Sequence, residues 1–281
     1  MNFDLGLAWN DGVAKVRDNF QILAIISGVF LFIPSAIFAV AMPDVMSLAY
    51  GGGAINPEDP AAILNMFGPG FIFGYVVMIV LSLVGYTAMM ALMNQNRNLT
   101  VGEAIGQGIK SLPTLFGAML LFLVGYFLFA LIVGVIFGLV IAGLGAISSV
   151  LATIVAFVLG VALIGLILCI FTRLSMVLPV VAIEQVTNPI TAITRSWSMT
   201  AAVQWRLLAF YALLFIAYMV IALLLFGVLG VIMAATGGVT VMAIISSVIG
   251  MVVAMFYSGI LAAVHSQLGD KVGGSLTDTF D

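Results

Sequence analysis

The sequence predicts an all-α, polytopic membrane protein with six transmembrane helices and three interfacial amphipathic helices. Three observations lead there. The first is composition: of 281 residues, 64% are hydrophobic and 7% charged, and the mean hydropathy is +1.33. A soluble domain carries about 25% charged residues, so this chain cannot cover its own surface in water. The second is a set of six apolar runs. A helix needs about 20 apolar residues to cross a hydrocarbon core of ~30 Å, and all six are long enough. The third is the placement of the eight Lys and Arg residues, which all fall on alternate connections of a six-span chain.

The spans are expected at Phe20–Met42, Gly70–Met93, Leu115–Ala142, Val150–Thr172, Leu207–Ala235 and Thr240–Val264. Pro34 should kink the first, because proline removes one backbone bond and crowds the preceding turn. Only Gly143–Ser149 parts the third from the fourth. A single helix through both would overshoot the membrane several-fold at about 1.5 Å per residue, so a tight helical hairpin is expected. The mixed-charge segment before Phe20 and the length of the first run argue for a retained helix rather than a signal peptide.

Lys15 and Arg17 precede the first span, and Arg97 and Lys110 lie between the second and third. Arg173, Arg195 and Arg206 lie between the fourth and fifth, and Lys271 follows the sixth. The opposite connections hold no basic residue: Pro43–Pro69 carries Asp44, Glu58 and Asp59, and Gly143–Ser149 and Thr236–Val239 carry no charge. Positive charge collects on the cytoplasmic side, so both termini are expected there.

Each odd-numbered span has a similar lead-in: Asp4–Phe20, Thr100–Phe116 and Asn188–Trp205. In each, a helix-capping residue (Asp4, Thr100, Asn188) is followed four residues later by alanine (Ala8, Ala104, Ala192), and an aromatic stands at the start of the span. Thr100 with Glu103 forms a capping-box pattern. Asn188-Pro189 pairs an N-cap with proline at the first helical position. In the third lead-in Ile190, Ile193, Trp197 and Ala201 share one helical face, while Thr191, Arg195 and Ser198 share another, as in a helix lying among headgroups. The chain therefore reads as one integral membrane domain, 1–281, built from repeat units of about 4–93, 100–172 and 188–264.

Composition and motifs also exclude functions. A net charge of −3 with no basic run gives no reason to expect nucleic acid as a partner. No Asp, Glu, Lys, Arg or His lies within the six runs. Such groups mark ion and proton pathways, so a carboxylate-coupled transporter is disfavoured. Cys169, the single cysteine, reads as a small buried residue, and with one histidine the chain cannot build a His-rich metal site. His265 is expected at the water interface, pointing to solvent. With no nucleophile elbow and no phosphate-binding loop, no catalytic, cofactor-binding or metal residues are expected, no cofactor, and no enzyme activity. Small-residue pairs at Gly70/Gly74, Gly134/Gly138 and Ala156/Gly160 should let helices approach closely, either between copies of the chain in an oligomer or, the more ordinary use, inside the bundle.

The candidate site is the polar stretch Arg173–Arg206, which holds three of the eight basic residues and two of the three tryptophans. Arg173 and Glu184 are 11 residues apart, close to three helical turns, and share a face if the helix persists past Pro179. Arg173, Glu184, Arg195 and Arg206 are candidate contacts for a headgroup or other anion, since arginine grips phosphate with two parallel bonds. The plainer reading is that the arginines set topology, snorkel, and pair with Glu103 and Glu184.

This stretch also resembles the membrane domain of glycerophosphoryl diester phosphodiesterases and the related YciC-like bacterial inner-membrane proteins. The resemblance rests on Arg173, Pro179, Glu184, Asn188-Pro189, Ala192, Arg195-Ser196-Trp197, Thr200 and Trp205-Arg206. The chain ends soon after Lys271, so the resemblance is expected to cover the membrane module alone and to bring no catalytic residue. It implies a multi-pass protein of the bacterial inner membrane, linked to glycerophosphodiester or lipid metabolism or to membrane maintenance. The expected role is a non-enzymatic module that scaffolds another membrane or cytoplasmic protein, or engages membrane lipids. The alternative, a small permease or lipid or solute transporter, requires a cavity reaching the midplane.

Overall fold

Six helices are long and apolar enough to cross a membrane, and no strand occurs among the described residues. The computed structural model describes residues 3–50, 66–94, 99–236 and 238–277. Arg97, Glu58 and Asp59 lie outside these residues. The side chain of Lys271 does as well. The protein is an all-α, multi-pass membrane protein.

α1 (Leu5–Asp18) starts where the Asp4 carboxylate accepts the Leu7 N–H at 2.9 Å. It ends where the Asn19 side chain donates to the Lys15 carbonyl. α2 (Phe20–Ala41) is the first span. Its turn at Gly28–Phe32 widens, and the Ile33 N–H reaches back five residues to the Gly28 carbonyl. The wide turn directly precedes Pro34, whose ring and missing N–H would disrupt a regular helix. Short α3 (Pro43–Ala49) follows, and then α4 (Pro69–Leu92), the second span.

α5 (Val101–Gly145) fuses lead-in and span into one helix of 45 residues, roughly 68 Å long. Here the expectation of a separate interfacial helix fails. Asn19 ends α1 by capping its last turn, but the matching position in the second lead-in is Leu115, which has no group to do so. The capping box at its start is present, with Thr100 Oγ1 accepting the Glu103 N–H and Glu103 accepting the Thr100 N–H at 2.8 Å. Replacing Thr100 with alanine should destabilise the protein by about 1 kcal/mol, readable as a lower thermal midpoint in detergent.

α6 (Ser149–Leu174) returns after a tight turn over 146–148, as expected for the hairpin, with Ser148 as N-cap. α7 (Val177–Glu184) and α8 (Pro189–Ala201) are short. A turn at 202–203 leads to α9 (Gln204–Thr236) and α10 (Val239–Thr277).

The three lead-in alanines Ala8, Ala104 and Ala192 are each fully buried. Alanine at these points lets each lead-in helix sit close to its neighbour. α1 packs along the last turns of α10. A Cβ on Gly12 would meet Ile260 backbone at 3.0 Å, and one on Gly259 would meet Val16 and the Gly12 carbonyl. The Gln267 side chain donates to the Asp4 carbonyl, so the two helices run antiparallel.

The core lies at the end of the bundle that carries the basic residues. One buried cluster joins Met176, Val180, Val181 and Ala182 of the α7 segment to Ala192, Leu207, Leu261 and Val264. The other halves of α5, α6 and α9 are bare: Leu139, Phe157 and Leu223 are 71%, 73% and 74% exposed. In lipid there is no hydrophobic penalty for this, because acyl chains are as apolar as leucine. The small-residue pairs divide accordingly. Gly70 and Gly74 face Met42 and Phe38, so that pair does pack inside the bundle. A Cβ at Gly134, Gly138 or Gly160 would meet nothing within 4 Å, so these do not serve internal packing.

Candidate functional site

α7 is the hub of the basic end. Its sequence, VLPVVAIE, is apolar on all sides, and such a helix must be surrounded. α4, α5, α8 and α10 all pack on it. The fourth span does not persist into it as one helix. The chain turns at Ser175–Met176, and Pro179 becomes the third residue of a new helix. Proline is tolerated there because first-turn N–H groups have no intrahelical partner anyway. The break separates Arg173 from Glu184, and each takes different partners. α7 ends at Gln185, whose φ of 57° is left-handed and turns the chain sharply. Asn188 then caps α8 by accepting the Ile190 and Thr191 N–H groups.

The last carbonyls of a helix lack intrahelical donors, and lipid cannot supply any. Side chains do so here. Ser196 donates to the Arg173 carbonyl at 2.6 Å, with Thr200 at 3.5 Å. Gln107 of α5 donates to the Ala182 carbonyl, and Thr114 donates to that of Thr187 at 2.8 Å. α5, α6, α7 and α8 are thereby tied into one polar collar. The sequence reading of α8 saw two faces and missed the third. Ala192, Ser196, Met199 and Thr200 point inward, while Ile190 and Trp197 are exposed, as suits a helix facing lipid.

Glu184 sits at the centre. Its Oε2 receives Arg195 Nε at 3.2 Å, and its Oε1 receives the His265 Nε2–H at 3.0 Å. That an arginine would pair with Glu184 was anticipated, and the structure gives it as Arg195. The placing of His265 was not: it was expected to point to solvent, yet it is 6% exposed. Its position beside Ser266 and Gln267 at a helix end suggested an interface, but α7 fills that space and brings a carboxylate to it. A lone histidine 81 positions from its partner carries no local signal of this. Glu103 binds Thr100, not an arginine.

Arg173 has a different setting. It lies in the last turn of α6, where a cation complements the helix dipole. Its guanidinium stacks over the Trp197 ring at 5.3 Å and donates to the Trp197 carbonyl at 3.1 Å. Among the described residues it makes no ion pair. Arg206 lies in the first turn of α9, and Lys110 is exposed on α5. Of the four candidate residues, the structure therefore joins Arg195 to Glu184 and sets Arg173 apart.

Among the described residues no three His, Cys, Asp or Glu side chains gather in a way that could hold a metal. No hydroxyl or thiol is hydrogen-bonded to His265 among them. What the arrangement offers is a satisfied structural triad, Glu184 with Arg195 and His265, beside a cation whose partners are all neutral.

Comparison with known proteins returned no match: no protein family, no curated protein and no solved structure is significantly similar to the chain.

Proposed function

We propose that the protein is a non-enzymatic membrane module that engages anionic lipid headgroups at the cytoplasmic face of a bacterial inner membrane. One observation carries the reading. Arg173 is a half-buried cation at the rim of the spans, held in place by Trp197 and unmatched by any carboxylate among the described residues. A fixed guanidinium at that depth suits a phosphate, which it can grip with two bonds. The cytoplasmic placement rests on the positive-inside pattern, and the resemblance of the 173–206 stretch points toward lipid metabolism or membrane maintenance.

The test compares spin-labelled phosphatidylglycerol with spin-labelled phosphatidylcholine in bilayers containing the protein. Charge-assisted hydrogen bonds contribute about 1.5–3 kcal/mol. Arg173→Gln should therefore lower the relative association constant of the anionic lipid about tenfold. Arg17→Gln is the control, since Arg17 is 80% exposed and lies beside Asp18. No anionic preference in the wild type, or an equal fall in both variants, would sink the reading.

A further inference from the structure

An apolar cavity of about 560 Å³ opens beside the collar, between α4, α5, α6, α7 and α10. Its volume lies within the roughly 300–1,000 Å³ of ordinary ligand sites. The walls are hydrocarbon and aromatic: Leu83, Phe122, Phe129, Ile170, Val177 and Tyr257 among others. On α5 the lining runs from Leu115 to Phe129, about 21 Å along the helix. Phe129 stands midway along the apolar run 115–142. The cavity thus reaches from the collar to the middle of the span, a length of helix sufficient to cross one ~15 Å leaflet of a ~30 Å hydrocarbon core.

Arg173 does not itself line the cavity but adjoins its collar end along the chain. Leu174 and Ser175, the residues after Arg173, line the cavity, as does Ile193 of α8. Trp197, on which Arg173 stacks, is four residues beyond Ile193 and so lies on the same face of α8. The polar side chains of the lining are few: Ser175, whose hydroxyl donates to the Thr172 carbonyl and accepts from Tyr211, and the tyrosines Tyr126 and Tyr257. Water is a poor occupant, because a buried water needs two to four polar partners. An empty cavity would forfeit the dispersion contacts of its walls.

We infer that this cavity is a lipid site. It holds one acyl chain of an anionic lipid between α5 and α6, with that lipid's phosphate at Arg173. The inference rests on the headgroup reading above and adds the chain to it. Charge decides the class of ligand, for Arg173, next along α6 to the lining residue Leu174, is a cation with no carboxylate partner among the described residues. The apolar depth requires a chain rather than a soluble phosphate.

Gly125 provides the test. It lines the cavity, and a Cβ there would meet nothing within 4 Å, so a side chain can start into the cavity without a clash at its first carbon. The probes are phosphatidylglycerol and phosphatidylcholine, each spin-labelled deep in one acyl chain, in bilayers containing the full-length protein. Gly125→Phe should lower the immobilised signal of both lipids about tenfold, and Gly125→Ala should not. Met119→Trp, from the same wall, should repeat the loss. Arg173→Gln should lower the anionic lipid alone. If Gly125→Phe and Met119→Trp leave the signal intact while Arg173→Gln lowers it, the chain site is overturned and the headgroup reading stands. If the cavity variants lower it and Arg173→Gln does not, the chain site stands and the headgroup reading falls. Indifference to all of them would mean annular lipid only and overturns both.

Discussion

Gly259→Leu is expected to destabilise the protein by more than about 3 kcal/mol, the upper end of what overpacking usually costs. A Cβ at Gly259 would lie 2.5 Å from Val16 and 2.8 Å from the Gly12 carbonyl. The valine can rotate away, but the carbonyl is backbone and moves only with α1. Gly12 is also tight, with the Ile260 backbone 3.0 Å from where its Cβ would stand, so the α1–α10 crossing has little slack on either side. Close backbone approach is what small residues provide where lipid removes the hydrophobic drive for association. Gly259→Ala should show the smaller cost, about 1–3 kcal/mol, although alanine favours a helix by about 0.5–1 kcal/mol over glycine. At Gly134 and Gly138 nothing stands in the way, so alanine there should leave stability within about 0.5 kcal/mol or raise it slightly. Unfolding midpoints of the four variants in one detergent check this. Equal effects at Gly259 and Gly134 would contradict it.

The second large effect is at Glu184. Glu184→Leu removes the carboxylate that holds both Arg195 and His265. Breaking a fully buried pair costs about 3–5 kcal/mol. Here Glu184 is 25% exposed and Arg195 36%, so solvent screens part of the loss, and about 1–3 kcal/mol is expected. Glu184→Gln should cost less, because an amide still accepts hydrogen bonds while the charge is gone. A double-mutant cycle between Glu184→Leu and His265→Leu should give a coupling of about 0.5–3 kcal/mol, measured by reversible unfolding in detergent. Strict additivity would show that the 3.0 Å contact has no energetic weight.

The all-α, multi-pass architecture was legible because lipid imposes it on composition. Twenty apolar residues in a row have few alternatives, and the spans fall close to where hydropathy places them. The three helix caps were legible for a similar reason, since Asp4, Thr100 and Asn188 act on backbone groups two or three residues away. Breaks between helices were less so. Pro179 marks a disturbance in the chain after Arg173, but it does not reveal that the turn falls before the proline and sends Arg173 and Glu184 to separate partners. Long-range polar contacts were hidden altogether. Gln107 with Ala182, Thr114 with Thr187 and His265 with Glu184 join residues more than 70 positions apart. Their only trace in the sequence is a set of polar side chains just outside the apolar runs. The bare far halves of α5, α6 and α9 were hidden too, because a leucine facing lipid and one facing protein look alike in sequence.

The central claim is that Arg173 and the cavity beside it form one site for an anionic lipid. The most direct measurement is a density map of the protein in bilayer discs containing phosphatidylglycerol. The account predicts a continuous feature that begins with a headgroup against the Arg173 guanidinium and runs between α5 and α6 toward Phe129. A map in which the cavity is filled by protein side chains, or in which lipid surrounds the helices with none at Arg173, would contradict it.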